Sequence, residues 1–177
     1  MHLTKSITEP ELIQRCKNGG LKYQEMLYKH FYGYAMGIAL RYSNGRDNAM
    51  EVTNDAFIKV FASINKYDPD KPFKAWLRRI VVNSAIDRQR REQRYKADDL
   101  TEAEHIGSLP HVIEQLNAND ILKLMATLPQ LHRTVFNLYE IDGYSHDEIA
   151  AMLDIATSSS RVYLTRAKEK LRELLSK

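Results

Sequence analysis

The segment FKAWLRRIVVNSAIDRQRR, residues 73–91, combines an apolar stripe with a run of arginines. Apolar residues recur at three- and four-residue steps, which is typical of a helix with one buried face. These positions are Trp76, Leu77, Ile80, Val81 and Ile86. The intervening positions carry Arg78, Arg79, Arg88, Arg90 and Arg91. We therefore expect one long helix that packs on the protein with one face, Trp76 included, and presents cations on the other.

Charge is distributed unevenly along the 177 residues, although the formal net charge is only +3. Residues 73–96 hold eight Lys and Arg against two acids, and residues 157–177 hold six against two. The intervening residues 97–156 hold eleven acids and two basic residues. One basic patch alone is equally well explained as a solvated helix face, but two patches that flank an acidic segment indicate two surfaces for a polyanion such as nucleic acid.

Composition excludes several classes of protein. A hydrophobic fraction of 44 % is sufficient for packed cores. The sequence contains neither a secretory signal pattern nor an apolar run long enough to span a bilayer, so we expect a cytoplasmic protein without membrane insertion. Cys16 is the only cysteine, and the six histidines show no metal-ligand or acid–base spacing. We expect no metal, no cofactor and no enzymatic activity.

Periodic segments of helical length predict an all-α fold, because no alternating strand pattern occurs. A capping box at Thr8 to Glu11, with Pro10 in the first turn, begins a short helix that ends near Asn18. Further helices are predicted over residues 21–42, 47–65 and 73–94, with residues 66–72 as a loop.

The periodicity fades between residues 95 and 117, where acids, Gly107 and Pro110 accumulate. This composition predicts a flexible acidic linker between two small helical domains. Capping boxes are predicted at Thr127 to Gln130 and at Ser145 to Glu148. The helices predicted beyond the linker span residues 119–126, 130–142, 146–153 and 157–175.

The last two helices, with a tight turn at residues 154–156, fit a helix-turn-helix motif. In that motif the first turns of the second helix enter the major groove of DNA. The side chains then placed near base edges and phosphates are Ser158, Ser159, Arg161, Val162, Thr165, Arg166 and Lys168. Arg161 is the candidate for a guanine or phosphate contact. Thr157 is interpreted as the N-cap of this helix.

Several short motifs, taken in order, resemble those of bacterial sigma factors of the extracytoplasmic function (ECF) group of the sigma-70 family. Each motif alone is weakly specific, whereas their order and spacing cover nearly the whole chain. They are Asn54 to Phe61, Phe73 to Leu77, Asn83 to Arg88, Leu128 to Pro129, Gly143 to Ser145, Glu148 to Ala150 and Arg166 to Lys168.

The resemblance implies a sigma-two domain over residues 1–95, an acidic linker over residues 96–117 and a sigma-four domain over residues 118–177. It implies that the chain binds core RNA polymerase, through the clamp coiled coil and the flap, and directs promoter recognition, strand opening and initiation. An anti-sigma factor is a further partner that the family allows. The implied clamp contacts are Asp55, Phe57, Val60 and Phe61, although Phe57 could equally belong to the core.

The resemblance also places −10 element recognition on the sigma-two domain. The loop Asn65 to Pro72 and the face that carries Asn83 correspond to the part that captures an unstacked base of the nontemplate strand. The implied DNA contacts are Asn65, Lys66, Tyr67, Lys71, Arg79, Asn83, Arg88, Arg90 and Arg91. Asn83 could equally be a surface amide, and the arginines suit backbone phosphates.

The acidic linker corresponds to a segment that threads through the RNA-exit path of the polymerase. We hypothesise that Asp98, Asp99, Glu102 and Glu104 mimic RNA there.

Two alternatives explain less of the chain. A helix-turn-helix regulator that acts on duplex DNA without polymerase accounts only for the second half, and a helical adaptor that binds only proteins leaves both arginine-rich faces without a role.

Overall fold

The computed structural model describes residues 7–98 and 118–176, and every regular element in these two stretches is helical. The all-α prediction is therefore confirmed. The helices are α1 Glu9–Lys17, α2 Leu21–Tyr42, α3 Arg46–Ser63, α4 Phe73–Asp98, α5 Ala118–Ala126, α6 Gln130–Phe136, α7 His146–Leu153 and α8 Thr157–Leu175. A 3-10 turn, Ile64–Lys66, follows α3, and a π-helical turn, Asn137–Ile141, follows α6.

The described residues form two compact units that do not follow chain order. The first unit comprises those of Met1–Ala39 and Gly45–Ala85. The second comprises those of Leu40–Asn44 and Ile86–Lys177, so it contains the end of α2 and the second half of α4 together with α5 to α8. Most of the predicted linker, residues 99–117, lies outside the described residues. That part includes Asp99, Glu102 and Glu104 of the RNA-mimicry hypothesis.

An aromatic cluster occupies the core of the first unit. Phe73, at the start of α4, lies with its ring centroid 4.8 Å from that of Phe31 on α2 and 5.3 Å from that of Tyr67. Trp76 packs at 5.3 Å from Tyr67 and 5.6 Å from Phe73, in agreement with its predicted structural role. Lys17 donates a hydrogen bond to the backbone oxygen of Tyr67 at 3.0 Å. These contacts attach the loop before α4 to the body of the unit.

Apolar side chains from α5, the turn after it and α8 form a core cluster in the second unit. Met125, Leu128, Ala167 and Leu171 form a buried cluster, against which Leu124 and Phe136 pack. On α7, the side chains of Ile149 and Ala150 are buried. Because α6 and α7 each pack on α8, the three helices form one body that contains the helix-turn-helix.

Two of the three predicted capping boxes are present. Glu11 accepts a hydrogen bond from the Thr8 backbone N–H at 3.1 Å, and Glu148 accepts one from that of Ser145 at 2.8 Å. The capping box predicted at Thr127 is wrong, because Pro129 is the N-cap of α6 and the Thr127 hydroxyl donates instead to the Leu124 backbone oxygen at 2.7 Å.

Three further helix ends differ from the prediction. Thr157 is the first residue of α8 rather than its N-cap, which is Ala156. The Thr157 hydroxyl donates to the Asp147 carboxylate at 3.0 Å, so it ties α8 to the first turn of α7. Helix α4 continues to Asp98, four residues beyond the predicted end. The helix predicted over residues 130–142 ends as the π-helical turn.

Candidate nucleic-acid and polymerase interfaces

The helix-turn-helix begins at α7, whose N-terminus is fixed by Ser145. The Ser145 hydroxyl accepts from the Glu148 backbone N–H at 3.3 Å, which completes the capping box. Asp154 ends α7 in the left-handed conformation, with φ of 56°. An aspartate tolerates this conformation better than most residues, because its short side chain can bond locally. The chain is thereby turned sharply into α8.

The first turns of α8 present the predicted base-reading side chains to solvent. Ser158, Arg161, Val162, Thr165 and Arg166 are exposed, and Ser159 is half-buried. Ser160 points inward, where it is fully buried and hydrogen-bonded to His146 Nδ1 at 2.9 Å. This alternation leaves one face of α8 free for the major groove while the opposite face packs on α7.

Lys168, two turns further along α8, pairs with Glu140 at 2.6 Å. Both side chains are about one third exposed, so the pair is accessible to solvent and ions and is expected to contribute little to stability. A phosphate would compete with Glu140 for the Lys168 ammonium group. Lys168 is therefore less available to DNA than the exposed Arg161 and Arg166.

A histidine lies beneath each side of α8. His146 stacks on Tyr139 with ring centroids 4.5 Å apart, and His132 stacks on Tyr163 at 5.0 Å. Burial lowers the pKa of His146, and the nearby Arg161 and Lys168 lower it further, while Asp147 opposes them. Burial followed by the charge of Arg166 lowers the pKa of His132. Both rings are therefore favoured in the neutral form beside a cationic surface.

The predicted −10 face of α4 is largely accessible. Arg79, Asn83 and Arg91 are exposed, as are Asn65, Lys66 and Lys71 in the preceding turn and loop. Arg88 and Arg90 are half-buried, and Arg88 pairs with Glu92 at 2.9 Å. The structure thus brings a carboxamide and several cations to the surface along α4, as phosphate and base contacts require.

Tyr67 is the exception among the predicted −10 residues, because it is buried within the aromatic cluster at 7 % exposure. Its hydroxyl donates to the Lys71 backbone oxygen, which closes the loop Asp68 to Lys71. Burial raises the pKa of the Tyr67 phenol. Tyr67 supports the loop from below, whereas a stacking platform for a base would have to be exposed.

The predicted clamp residues on α3 divide into two groups. Phe57 and Val60 are buried, whereas Asp55 and Phe61 are half-buried. Phe57 contacts the Tyr28 ring of α2 at 4.7 Å, so it belongs to the core. The exposed apolar side chains of this helix are Ile58, at 66 % exposure, and Met50, at 43 %.

Met50 and Ile58 were not predicted as contacts, although both lie on the outer face of α3. Asn54, halfway between them, is exposed and accepts a hydrogen bond from the Tyr28 hydroxyl at 2.9 Å. Their spacing, 50, 54 and 58, is the i, i+4, i+8 row of one helix face. This spacing is present in the sequence, but the predicted contacts include Val60, which belongs to the inward-facing row of α3.

A polar cluster in the second unit was also not predicted. Gln89 of α4 accepts from the Thr134 hydroxyl at 3.0 Å and donates to the Tyr42 backbone oxygen at 2.8 Å. Asn137 donates to the Arg41 backbone oxygen at 2.8 Å, and the Tyr42 hydroxyl donates to Asp142. Burial and the neighbouring Asp142 raise the pKa of the Tyr42 phenol.

Residues 7–98 and 118–176 offer neither a metal site nor a membrane span. No group of three or more His, Cys, Asp or Glu side chains in these stretches could hold a metal ion. No helix within them combines the length and the hydropathy that crossing a membrane requires.

Comparison with protein families gives two matches in chain order. Residues 27–95 match the family model of Sigma-70 region 2, and residues 118–171 match that of Sigma-70, region 4. The first match contains α3 and most of α4, and the second contains the helix-turn-helix. The two matches lie on either side of the predicted acidic linker, residues 96–117.

The chain is similar to two ECF sigma factors, one of which it matches over nearly the full length. The chain is 27 % identical over 180 residues to the ECF RNA polymerase sigma-E factor of Escherichia coli K12, covering 94 % of each chain. It is 30 % identical over 146 residues to the ECF RNA polymerase sigma factor SigE of Mycolicibacterium smegmatis, covering 79 % of this chain and 56 % of the relative.

A solved structure shares the fold. The sigma factor RpoE of Bartonella quintana, crystallised in complex with the anti-sigma factor NepR, superimposes with a TM-score of 0.57 at 24 % identity. The superposition covers 86 % of this chain and 96 % of that one. The fold, the ordered pair of region matches and the full-length relatives agree: this chain belongs to the ECF group of the sigma-70 family, whose members bind core RNA polymerase and promoter DNA.

Proposed function

We propose that residues 1–95 act as the sigma-two domain, which docks on the polymerase clamp and opens the −10 element, and that residues 118–177 act as the sigma-four domain, which reads the −35 element. The observation that supports this division is the pair of region matches, which end at residue 95 and begin at residue 118. Residues 96–117 would then connect the two domains across the polymerase.

On the −10 side, Asn83 is proposed to recognise the extruded base, because a carboxamide offers both a donor and an acceptor. Its exposure on α4, one turn from Arg79, supports this role. The exposed Asn65, Lys66 and Lys71 would contact the same strand. Arg88, Arg90 and Arg91 would hold phosphates, with Tyr67 supporting the loop from the core.

On the −35 side, Arg161 is proposed to reach a guanine edge or a phosphate, since it is exposed in the second turn of α8. Ser158 and Ser159 would bind phosphate at the helix N-terminus, where the backbone N–H groups are free. Val162 and Thr165 lie on the same face and would contact the base edges. Arg166 and Lys168 would extend the phosphate contacts.

At the polymerase, the outer face of α3 is proposed to dock on the clamp through Asp55 and Phe61, joined by Ile58 and Met50. Burial of an exposed apolar side chain supplies binding free energy that a core residue cannot add. Phe57 and Val60 would act by holding α3 in place. The sigma-four domain would contact the flap.

The chain is proposed to have no catalytic activity of its own, since the polymerase performs the chemistry, and to act in the cytoplasm, where its relatives meet the polymerase. An anti-sigma factor remains a proposed partner to which no surface of this chain is assigned.

In vitro transcription with purified bacterial core polymerase and a pool of genomic promoters tests the proposal. We expect transcripts and permanganate-reactive thymines at the −10 element only when the chain is present. The Asn83→Ala variant should lose strand opening but retain polymerase binding, whereas Ile58→Ala should lose polymerase binding. The Lys170→Ala variant, which changes an exposed cation away from the reading face, is the matched control. Tight duplex binding with no polymerase-dependent transcript would instead favour an ordinary helix-turn-helix regulator.

A further inference from the structure

A histidine between α7 and α8 has its ring fixed by two neighbours. His146 Nδ1 is hydrogen-bonded to the Ser160 hydroxyl at 2.9 Å, and the ring stacks on Tyr139 with centroids 4.5 Å apart. Ser160 is fully buried, so its hydroxyl cannot turn to solvent instead. The fold therefore sets both the position and the orientation of the imidazole.

The other ring nitrogen of His146 is available to a ligand. Nε2 has no hydrogen-bond partner among the residues that the structure describes, and it is not a buried atom. The ring itself is half-buried. Because one nitrogen is held by Ser160, the other is directed to the opposite side of the imidazole. An imidazole that is fixed in this way can donate from Nε2 to an acceptor that arrives from solvent.

Two cations of α8 lie beside this ring. Arg161 follows Ser160 in the chain and is exposed. Lys168 is on the i, i+4, i+8 row that begins at Ser160, and its ammonium group pairs with Glu140 at 2.6 Å. Burial lowers the pKa of His146, and the charges of Arg161 and Lys168 lower it further. Both cations are therefore close enough to act on the ring.

The acids near His146 already have other partners. Asp147 accepts from the Thr157 hydroxyl at 3.0 Å, and Glu148 accepts from the Ser145 backbone N–H at 2.8 Å. The charged and titratable groups on the elements around the ring are Arg161 and Lys168 of α8, Asp147 and Glu148 of α7, and Tyr139 and Glu140 of the π-helical turn. No acid among the described residues is hydrogen-bonded to the ring. An arriving anion would supply the acceptor that a protonated ring needs.

We propose that His146, Arg161 and Lys168 form a phosphate-binding site in which His146 takes up a proton as the phosphate binds. The site rests on the proposed function, because its ligand is a backbone phosphate beside the groove that α8 enters. In the complex, His146 Nε2 and the two cations donate to the phosphate oxygens, and Nδ1 donates to the Ser160 oxygen. Lys168 leaves Glu140 for the phosphate.

This site couples DNA affinity to pH. A negative charge next to an imidazole raises its pKa, so the pKa of His146 is higher in the complex than in the free chain. Between these two pKa values, the complex holds a proton that the free chain lacks, and DNA affinity therefore rises as the pH falls. A purely structural role of His146 predicts the opposite, because the free fold favours the neutral ring and acid would weaken it.

NMR titration of the histidine Cε1–H signals in the full chain tests the site directly. The His146 signal is identified by its loss in His146→Gln. Titrations between about pH 5 and pH 8 are recorded alone, with a random-sequence DNA duplex and with inorganic phosphate at equal ionic strength. We expect the duplex to lower the acid dissociation constant of His146 by about tenfold. The constant of His30, at an exposed position of α2, should change by less than about twofold.

The two sources of phosphate are distinguished by the same titrations. A shift of the His146 signal with the duplex supports the assignment to DNA. A shift with inorganic phosphate but not with the duplex would overturn the coupling to DNA. No shift with either would overturn the site.

The pH profile of promoter binding by the holoenzyme gives a second readout. His146→Gln keeps an acceptor for the Ser160 hydroxyl but cannot be protonated. From about pH 8 to pH 6, wild-type holoenzyme should gain about three- to tenfold in affinity relative to the His146→Gln holoenzyme. Because both contain the same core polymerase, the pH dependence of the polymerase cancels. His30→Gln should follow wild type, whereas identical profiles for His146→Gln and wild type would overturn the site.

The two proposals fail in different ways. If the duplex leaves the His146 constant unchanged while the chain still starts transcripts with core polymerase, the phosphate site is overturned and the sigma function stands. If the chain neither binds duplex nor starts transcripts from any template, the sigma function is overturned and the site with it.

Discussion

The aromatic core of the first unit and the polar cluster in the second are both buried, yet they differ in chemistry. Phe31, Phe73 and Trp76 meet through aromatic faces and edges, whereas Gln89 and Thr134 meet through a hydrogen bond. Apolar surface has no favourable partner in water, so the aromatic core is lost only when the unit unfolds. Hydrogen-bonding groups are well solvated when separated. The comparison therefore contrasts an apolar core with a polar cluster whose groups can also be hydrogen-bonded by water.

The largest effect is expected from Phe73→Ala, which removes the central ring of the aromatic cluster. Loss of a buried phenyl group, together with the cavity that remains, should lower the free energy of unfolding by about 3–5 kcal/mol. Urea unfolding followed by Trp76 fluorescence measures it. Phe61→Ala, at a half-buried position of α3, should cost distinctly less. Equal losses in the two variants would contradict the assignment of Phe73 to a permanent core.

A smaller and local effect is expected from Thr134→Val, which keeps the shape of the side chain and removes its hydroxyl. The side-chain oxygen of Gln89 then lacks its buried hydrogen-bond donor, which should lower the opening free energy of this region by about 1–3 kcal/mol. Amide hydrogen exchange should accelerate in α6, while urea unfolding reported by Trp76 stays unchanged. Thr165→Val, at an exposed position of α8, should change the opening free energy measured by amide exchange by less than about 0.5 kcal/mol. A shift in the Trp76 transition would show that the two regions are not separable.

Ser145→Ala should have a still smaller effect, because it removes only the N-cap of α7. We expect a loss of about 1 kcal/mol in the opening free energy of that helix, measured by amide exchange. Ser158→Ala, at an exposed position that caps no helix, serves as the control. An equal response to both substitutions would argue against a specific capping contribution in the helix-turn-helix.

The smallest expected effect is that of pH on the stability of α7 and α8. The pKa values of His132 and His146 lie below their ordinary value of 6.5, so the fold favours the neutral rings. Their contribution is fully present above that value and is lost as the pH falls through the lowered pKa values. The protection factors for amide exchange in α7 and α8, which are corrected for the pH dependence of intrinsic exchange, should therefore fall below about pH 6.5. His146→Gln should weaken this dependence, whereas His30→Gln, on the exposed face of α2, should leave it unchanged.

Local chemistry allowed much of the fold to be predicted. Ser145 and Glu148, three residues apart, marked the start of α7 because the capping box is a short-range pattern. The same pattern failed at Thr127, because Pro129 intervenes and the hydroxyl turns back to α5. The sequence also placed Trp76 correctly, since the apolar stripe around it was long enough to define one face of a helix.

The site residues were harder to predict wherever packing between distant parts of the chain decides which side chains are buried. On α3, the outer residues Met50 and Ile58 and the inner residue Val60 are all apolar, and only burial in the folded chain distinguishes them. Gln89 and Thr134 are 45 positions apart in the chain, so neither residue signals the other. The π-helical turn likewise has no local signature. It coincides with the bonds that Asn137 and Asp142 make to the end of α2.

The π-helical turn makes the chain unusually sensitive to length at one point. A π turn accommodates one residue more than an α-helical turn would. Inserting a further residue between Asn137 and Ile141 would exceed what the turn accommodates and would rotate the downstream residues by about 100°. The Asp142 carboxylate would then face away from Tyr42. One codon gained at this position would thus remove the contact between Tyr42 and Asp142, while the α8 side chains that are proposed to read DNA stay the same.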